Sequence, residues 1–187
     1  LIPHPTVNYD YVSDQNTGTL SYTPVADANG TATITVTVTD DGNTDAGIGD
    51  DNGISIVFNV DITPVNDEPI ADAQPVTATE DIEKSITLTG SDGDPELTQT
   101  LTYILTSLPS TGTLSESSSG LVISSFPHTL SDATIYFTTA LNDVDQQTFD
   151  FKVRDNGNTN AGIGDDNEST DATVIITITP VNDKPIS

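Results

Sequence analysis

The segment "TATITVTVTD" (residues 31–40) alternates threonine with apolar residues along almost its whole length. Successive side chains of a strand point to opposite faces, so this period of two predicts a β-strand with one apolar and one polar face. Further segments rich in β-branched residues predict strands at 54–64, 84–90, 100–108, 133–140, 148–155 and 172–180. No segment has the 3.6-residue period of a helix. We therefore predict an all-β protein of short antiparallel strands, arranged as a β-sandwich.

The charge of the chain excludes several classes of partner. Four basic residues face 29 acidic ones, which gives a formal net charge of −25. Binding to nucleic acid or to an anionic membrane surface needs basic residues, so both are excluded as partners. Repulsion of this size destabilises a compact state unless cations relieve it, although a solubilising acidic surface is the simpler alternative. The chain has no cysteine, which is ambiguous. A cytosolic protein needs no disulfide, whereas a secreted protein without disulfides needs another cross-link, for which metal is the obvious candidate.

A long repeat organises the chain. Residues 38–52 read "VTDDGNTDAGIGDDN" and residues 153–167 read "VRDNGNTNAGIGDDN", with twelve of fifteen positions identical. Each copy is followed by a predicted strand and then by "TPVND", and the two Asn-Asp pairs lie 116 residues apart, about one domain. We predict that residues 68–187 are one complete repeat ending in the next linker. Residues 1–67 are then the C-terminal part of a truncated repeat.

The truncated repeat has no counterpart of the opening strands of the complete one. A sandwich that lacks most of one sheet leaves an apolar face and unpaired strand edges exposed. We therefore expect that residues 1–67 are either poorly packed or covered by something else. The chain is expected to be a piece of a longer repeat protein.

The "PVND" ending, the "VTDDG" segment and the opening "ATEDIEKS" together resemble the cadherin-like, Ig-like tandem repeats of large bacterial surface adhesins. The resemblance covers the whole chain. It implies Greek-key β-sandwich repeats, Ca²⁺ bound between consecutive domains, and a secreted or cell-surface location. The partners that it implies are neighbouring repeats of the same long chain, with a cell-surface or glycan ligand for the parent adhesin.

The resemblance also implies a set of calcium ligands. The residues that match its ligand motifs are Asn66 and Asp67, their second copy Asn182 and Asp183, Asp92 and Asp94 in "SDGDPE", Asp155 with its first-repeat counterpart Asp40, Glu80 with Asp81, Asp143 and Asp145 in "NDVDQQ", and Asp27 in "ADANG". The third position of "NDVDQQ" carries aspartate where the family has glutamate. "ADANG" supplies fewer acids than its counterpart in the second repeat.

The chemistry of these side chains agrees with the resemblance. Ca²⁺ takes six to eight oxygen ligands from carboxylates, amide side chains and backbone carbonyls, and an Asn-Asp pair offers two of those types side by side. The prolines that bracket the first pair, Pro64 and Pro69, stiffen its backbone. We predict an occupied site built from Asn66, Asp67, Asp92, Asp94 and Asp155, with Asp27 from the first repeat. Asn182 and Asp183 are expected to be half a site. The alternative is that these are plain turn residues.

The loop inside the repeated segment is a weaker candidate for a metal site. Asp41, Asn43 and Asp45 have the opening spacing of an EF-hand loop, but the glycine and the glutamate that complete that loop are missing. In the second copy the same positions carry asparagine, at residues 156, 158 and 160. The pattern favours a specific turn, with the neighbouring aspartates as accessory ligands at most.

Catalytic motifs are missing from the sequence. His4 and His128 are the only histidines, each beside a proline, and no nucleophile elbow, zinc-protease helix or phosphate loop is found. We predict a protein that is not an enzyme: a calcium-binding structural repeat of an extracellular adhesin or surface filament. The alternative is a carbohydrate-binding module of a secreted polysaccharide-active protein. Such a module needs an exposed aromatic platform, and the lack of tryptophan argues against it.

Overall fold

The computed structural model describes residues 1–3, 5–12, 15–38, 54–157 and 167–182, with the backbone alone at 8–12 and 15–17. Asp40, Asp183 and most of both glycine-rich loops lie outside these ranges. The chain forms two compact units, Leu1–Val65 and Asn66–Ser187, here called unit 1 and unit 2. Asn66 and Asp67 are thus the first residues of unit 2. Throughout the described ranges the regular structure is β-strand, as predicted.

Unit 1 contains two separate antiparallel hairpins. Its strands are β1 (Thr6–Val12), β2 (Gln15–Ser21), β3 (Gly30–Val38) and β4 (Ile54–Ile62). Strand β1 pairs with β2, and β3 pairs with β4. Among the described side chains of unit 1, the one buried hydrophobic residue is Ile34, at 8% exposure. Unit 1 therefore has almost no core of its own.

Unit 2 is a β-sandwich. Its strands are β5 (Ile70–Ala71), β6 (Gln74–Thr79), β7 (Lys84–Thr87), β8 (Gly90–Ser91), β9 (Thr102–Leu105), β10 (Thr113–Ser115), β11 (His128–Thr129), β12 (Thr134–Thr138), β13 (Gln147–Arg154) and β14 (Ala172–Thr179). One sheet has the order β10-β12-β7 and the other the order β11-β9-β13-β14-β6. Strands β5 and β8 form a separate short pair.

The core of unit 2 lies between its two sheets. Strand β13 has alternating burial, with Phe149, Phe151 and Val153 facing inward, and β14 has the same pattern through Val174 and Ile176. These side chains pack in one cluster with inward-facing residues of β7, β10 and β12. The period of two in the sequence is therefore the period of burial in the sheet.

One strand pair departs from the antiparallel prediction. Strand β6 runs parallel to β14, from the pair Gln74–Val174 to the pair Thr79–Thr179. The second strand of unit 2 therefore lies beside its last strand, although about 100 residues separate them. A parallel pair needs a long connection, and a sequence pattern does not identify partners across such a distance.

Candidate metal site

Acidic and amide side chains meet at one end of the five-stranded sheet of unit 2. Asp155 directly follows β13, and the pairing of Arg154 with Thr102 brings the start of β9 to the same end. Strands β5 and β8 are antiparallel, so the residues before β5 lie near those after β8. This topology brings together the residues called here the polar cluster, which are Asn66, Asp92, Asp94, Gln99 and Asp155.

Hydrogen bonds link the polar cluster into one chain. The Asn66 side-chain amide donates to both carboxylate oxygens of Asp155, at 3.4 and 3.3 Å. Gln99 donates through Nε2 to Oδ1 of Asn66 and, at 2.9 Å, to Oδ2 of Asp94. Asn66, Asp94 and Asp155 are only 7%, 8% and 4% exposed. Two buried carboxylates are therefore held apart by two amide side chains.

Backbone amides hold the acidic groups in place. Oδ1 of Asp94 accepts hydrogen bonds from the amides of Glu96 and Leu97, at 2.8 and 3.1 Å. Asp92 accepts from the amide of Gln99 at 2.7 Å, and Asp155 from that of Gly157 at 2.9 Å. The turns that carry these residues are thus folded around the side-chain oxygens of the three aspartates.

Two glycines allow the backbone to approach the polar cluster closely. A Cβ added at Gly157 would lie 1.6 Å from Oδ1 of Asn66, so any side chain there displaces the asparagine. Gly93, between Asp92 and Asp94, has φ of +74°, and a Cβ there would lie 2.2 Å from the backbone oxygen of Glu68. The "DGD" turn therefore needs glycine for its conformation and for its packing.

The ligand set of the polar cluster suits a hard cation, but its acids alone do not form a cage. Within the described ranges, no three or more acidic, histidine or cysteine side chains are gathered closely enough to hold a metal ion. The amide oxygen Oε1 of Gln99, in contrast, is buried and accepts no hydrogen bond from any residue in the described ranges. Such an oxygen costs free energy when it is left unpaired, and Ca²⁺ binds oxygens of this type.

The polar cluster includes part of the predicted site. Asn66, Asp92, Asp94 and Asp155 lie in it, and Asp67 is adjacent, with its carbonyl accepting from Asn66 at 3.3 Å. Gln99 was not predicted, because a lone glutamine in "LTQT" carries no recognisable ligand signal. Asp27, the other predicted ligand, belongs to unit 1, where its side chain is exposed in a turn with φ of 54°.

Other predicted ligands lie at the opposite end of the same sheet, where β6 and β14 end and β13 begins. Glu80 is buried and accepts from the amide of Val181 at 3.1 Å. Asp143 accepts from Thr111 and, at 3.2 Å, from Gln147, and the Thr111 hydroxyl lowers the pKa of Asp143. The remaining predicted ligands in this part of the chain are exposed: Asp81, Asp145 and Asn182.

The histidine of unit 2 belongs to a different group of side chains. Glu116 accepts from the His128 ring at 2.7 Å and from the amide and hydroxyl of Ser131, at 2.7 and 2.6 Å. The carboxylate therefore lies between the hydroxyl and the imidazole, so this histidine does not take a proton from the serine as a catalytic base does. The Ser131 hydrogen bonds, followed by that of His128, lower the pKa of Glu116 to about 2.

This shift predicts a specific acid sensitivity. A carboxyl group whose pKa is lowered by folding stabilises the protein above its ordinary pKa of 4.5, and the stabilisation is lost as the pH falls towards about 2. We expect Glu116→Gln to remove this contribution. In urea unfolding curves between pH 7 and pH 2, the stability difference between wild type and variant should shrink below pH 4.5. A difference that does not change with pH would contradict the assignment.

Comparisons with known proteins give weak structural matches. No protein-family model matches the chain, and no curated protein sequence does. Among solved structures, the protocadherin γB4 extracellular domain matches at a TM-score of 0.48 with 16% identity, over 94% of this chain and 27% of that one. A family 107 endo-fucoidan hydrolase variant matches at 0.36 with 18% identity, over 95% and 24%. Mouse protocadherin-24 EC1-3 matches at 0.39 with 14% identity, over 71% and 42%. The chain thus spans under half the length of each, and scores below 0.5 carry no argument about function.

Proposed function

We propose that this chain is a calcium-binding structural repeat of an extracellular adhesin or surface filament. The observation that carries the proposal is the polar cluster, in which the buried carboxylates of Asp94 and Asp155 are bridged by two amide side chains. In this role the chain catalyses no reaction. Its partners are neighbouring repeats of the same polypeptide, together with whatever cell-surface or glycan ligand the parent adhesin binds.

Charge supports the proposal. Buried carboxylates are costly unless a positive charge compensates them, and the whole chain has four basic residues against 29 acidic ones. Two of the four, Lys152 and Arg154, form ion pairs with Glu168 rather than with the polar cluster. A bound divalent cation is the compensation that the chemistry of this site favours.

The polar cluster offers the oxygen types that Ca²⁺ prefers. Asp94 and Asp155 would supply carboxylate oxygens, and Asn66 and Gln99 would supply amide oxygens, with Asp92 and Asp67 as further ligands. In the structure, N–H groups of the two amides face the carboxylates. Rotation of each amide would present its oxygen instead, and the unpaired Oε1 of Gln99 would gain a partner. The full positive charge of the cation would then face the carboxylates, in place of the partial positive charge of the amide N–H groups.

Binding at the polar cluster has a structural consequence for the chain. Asn66 directly follows Val65, the last residue of unit 1. A cation that immobilises Asn66 therefore restrains the backbone at the junction of the two units. Repeats joined in this way form a rod that stiffens with calcium, as the resemblance to adhesin repeats implies.

Calcium is expected to stabilise unit 2. Extracellular calcium modules have dissociation constants of about 10⁻⁴ to 10⁻³ M. At the tighter limit, 10 mM Ca²⁺ adds about 2.7 kcal/mol and raises the melting temperature by roughly 10 °C relative to chelator. Asp155→Asn removes one carboxylate at constant size and should abolish most of this shift. Calorimetry in calcium and in EDTA measures the shift of the melting temperature for the wild type and for Asp155→Asn.

A matched control separates specific binding from general screening of charge. Asp150 lies on β13, the strand that ends just before Asp155. Its carboxylate lies outside the polar cluster and accepts hydrogen bonds from Ser107 and Thr173. Asp150→Asn changes the net charge equally and should keep the full calcium shift. Equal melting temperatures in calcium and EDTA would refute the metal site. A maximum dimension in solution scattering that calcium leaves unchanged would refute the stiffening alone.

The carbohydrate-binding alternative finds no support in the aromatic residues of unit 2. A sugar platform needs neighbouring exposed rings, and in the described part of unit 2 the one largely exposed aromatic side chain is Phe126. Phe137, Phe149 and Phe151 are fully buried, and Tyr103 is partly buried against Phe151 with ring centroids 6.3 Å apart. The aromatic residues of unit 2 therefore serve mainly its core.

A further inference from the structure

The β3–β4 hairpin of unit 1 has an apolar face that is mostly exposed; among the described side chains on it, Ile34 alone is buried. Register pairs Ile34 with Phe58, Val36 with Ile56, and Val38 with Ile54, so these six side chains share one face. Val38, Ile54, Ile56 and Phe58 are exposed. A continuous apolar face of this kind is unusual on a soluble monomer and marks a site of interaction.

The other face of the hairpin carries polar side chains that are exposed to solvent. Cross-strand hydrogen bonds join Thr31 to Asp61 at 2.7 Å and Thr33 to Asn59 at 3.0 Å. A third bond joins the hydroxyls of Thr37 and Ser55 at 2.9 Å. The hairpin is thus two-sided, and its apolar side is the one that needs a partner.

Unit 2 contains the counterpart of this hairpin with its apolar face buried in a core. The sequence repeat aligns β3–β4 with β13–β14, and the two hairpins have the same register. The pair Ile34–Phe58 corresponds to Phe149–Val174, and the pair Val36–Ile56 to Phe151–Ala172. In unit 2 all four counterparts are buried in the core. Identical valines show the contrast: Val38 is 61% exposed, whereas Val153 is 0% exposed.

The strands that bury the hairpin in unit 2 are identifiable. Strand β9 pairs with the free edge of β13, β6 pairs with that of β14, and β7 forms an edge of the opposing sheet. In unit 1, β2 ends nine residues before β3, as β12 ends nine residues before β13. The hairpin β1–β2 thus occupies the place of β10–β12 in chain order. Within the described part of unit 1, β3 and β4 pair with each other alone, and counterparts of β6, β7 and β9 are missing.

We propose that the apolar face and the two open edges of β3–β4 bind the opening half of a repeat. This partner is a polypeptide segment with the strand pattern of β6, β7 and β9. It adds one strand to each edge of the hairpin and a third strand to the layer above the apolar face. Unit 1 is then the closing half of a sandwich, and its exposed face is an unfinished core. The proposal rests on unit 1 and does not depend on calcium.

An extended chain tests this proposal. A second copy of residues 66–107, which contains β6, β7 and β9, is joined ahead of Leu1 in the full chain. Hydrogen–deuterium exchange is then measured at the backbone amides of β3 and β4. We expect exchange there to slow at least tenfold relative to the unextended chain, because both edges gain hydrogen-bonded neighbours. The amides of β13 and β14 report in the same sample that unit 2 is folded.

Two adjacent residues provide a matched pair of variants. Ile56 lies on the apolar face and Val57 on the polar face, with exposures of 59% and 61%. In the extended chain, Ile56→Asp should abolish the slowed exchange, whereas Val57→Asp should retain it. In the unextended chain, both substitutions should change the hydrogen–deuterium exchange of the β3 and β4 amides equally little.

Three results would overturn the proposal. The first is unchanged exchange at β3–β4 in an extended chain whose unit 2 amides remain protected. The second is an equal response to Ile56→Asp and Val57→Asp in the extended chain. The third is a dimer of the unextended chain that already protects β3–β4, which would make a second copy the occupant.

Discussion

Replacing Phe151 by alanine is expected to lower the free energy of unfolding of unit 2 by about 3–5 kcal/mol, the largest effect of any substitution considered for this chain. Phe151 is fully buried on β13, where it pairs with Leu105 on one side and Ala172 on the other. It also contacts the ring of Tyr103. Alanine would leave a cavity that these strands cannot close without breaking their ladders. Urea unfolding followed by circular dichroism measures the change.

The repeat provides a control for this prediction. Val153 and Val38 occupy equivalent positions, but only Val153 is buried. Val153→Ala should cost about 1–2 kcal/mol through lost apolar burial, while Val38→Ala should stay within about 0.5 kcal/mol. A loss below about 1 kcal/mol for Phe151→Ala would contradict a rigid core. Equal losses at the two valines would contradict the exposed face of unit 1.

Replacing Gly93 by alanine is expected to destabilise unit 2 by at least about 2 kcal/mol and to weaken the polar cluster. A left-handed backbone costs a non-glycine residue about 1–2 kcal/mol. The added Cβ would also lie 2.2 Å from the Glu68 backbone oxygen, and backbone cannot rotate away as a flexible side chain does. Either the "DGD" turn or the segment before β5 must move. Calorimetry gives the loss of stability, and calcium titration the loss of affinity.

Gly30 separates the two causes of this loss. It also has a positive φ, of 112°, but the nearest atom to an added Cβ is a side-chain carbon of Leu1 at 3.8 Å. Gly30→Ala therefore introduces backbone strain without a clash. Calcium affinity should not change in this variant, whereas Gly93→Ala should lower it. A Gly93→Ala variant with wild-type stability would show that the close approach of Glu68 is not required.

Prediction of the strands succeeded where local pattern is sufficient. The alternation in residues 31–40 corresponds to β3 (Gly30–Val38), and the segments at 148–155 and 172–180 correspond to β13 and β14. These strands carry β-branched side chains with a period of two, which reflects the geometry of the strand itself. Short strands such as β10 and β11 were missed, because two or three residues are too few to show a period.

The polar cluster was predictable only in part. Asp92, Asp94 and Asp155 stand in recognisable acidic motifs, so their residue types and spacing pointed to a cation site. Gln99 gave no such signal. Its role follows from the start of β9 lying beside the end of β13, a contact between segments more than 50 residues apart.

The strand pattern, the repeat and the strongly acidic character of this protein follow from its amino-acid sequence alone. Which apolar faces are buried, and which polar side chains meet, is known from the folded chain. Val38 and Val153 have nearly the same local sequence, yet one is exposed and the other is in the core. The reason is physical: alternation assigns a side chain to a face of its strand, but burial requires a second sheet over that face. In unit 2 the opposing sheet buries Val153, whereas Val38 of unit 1 stays 61% exposed.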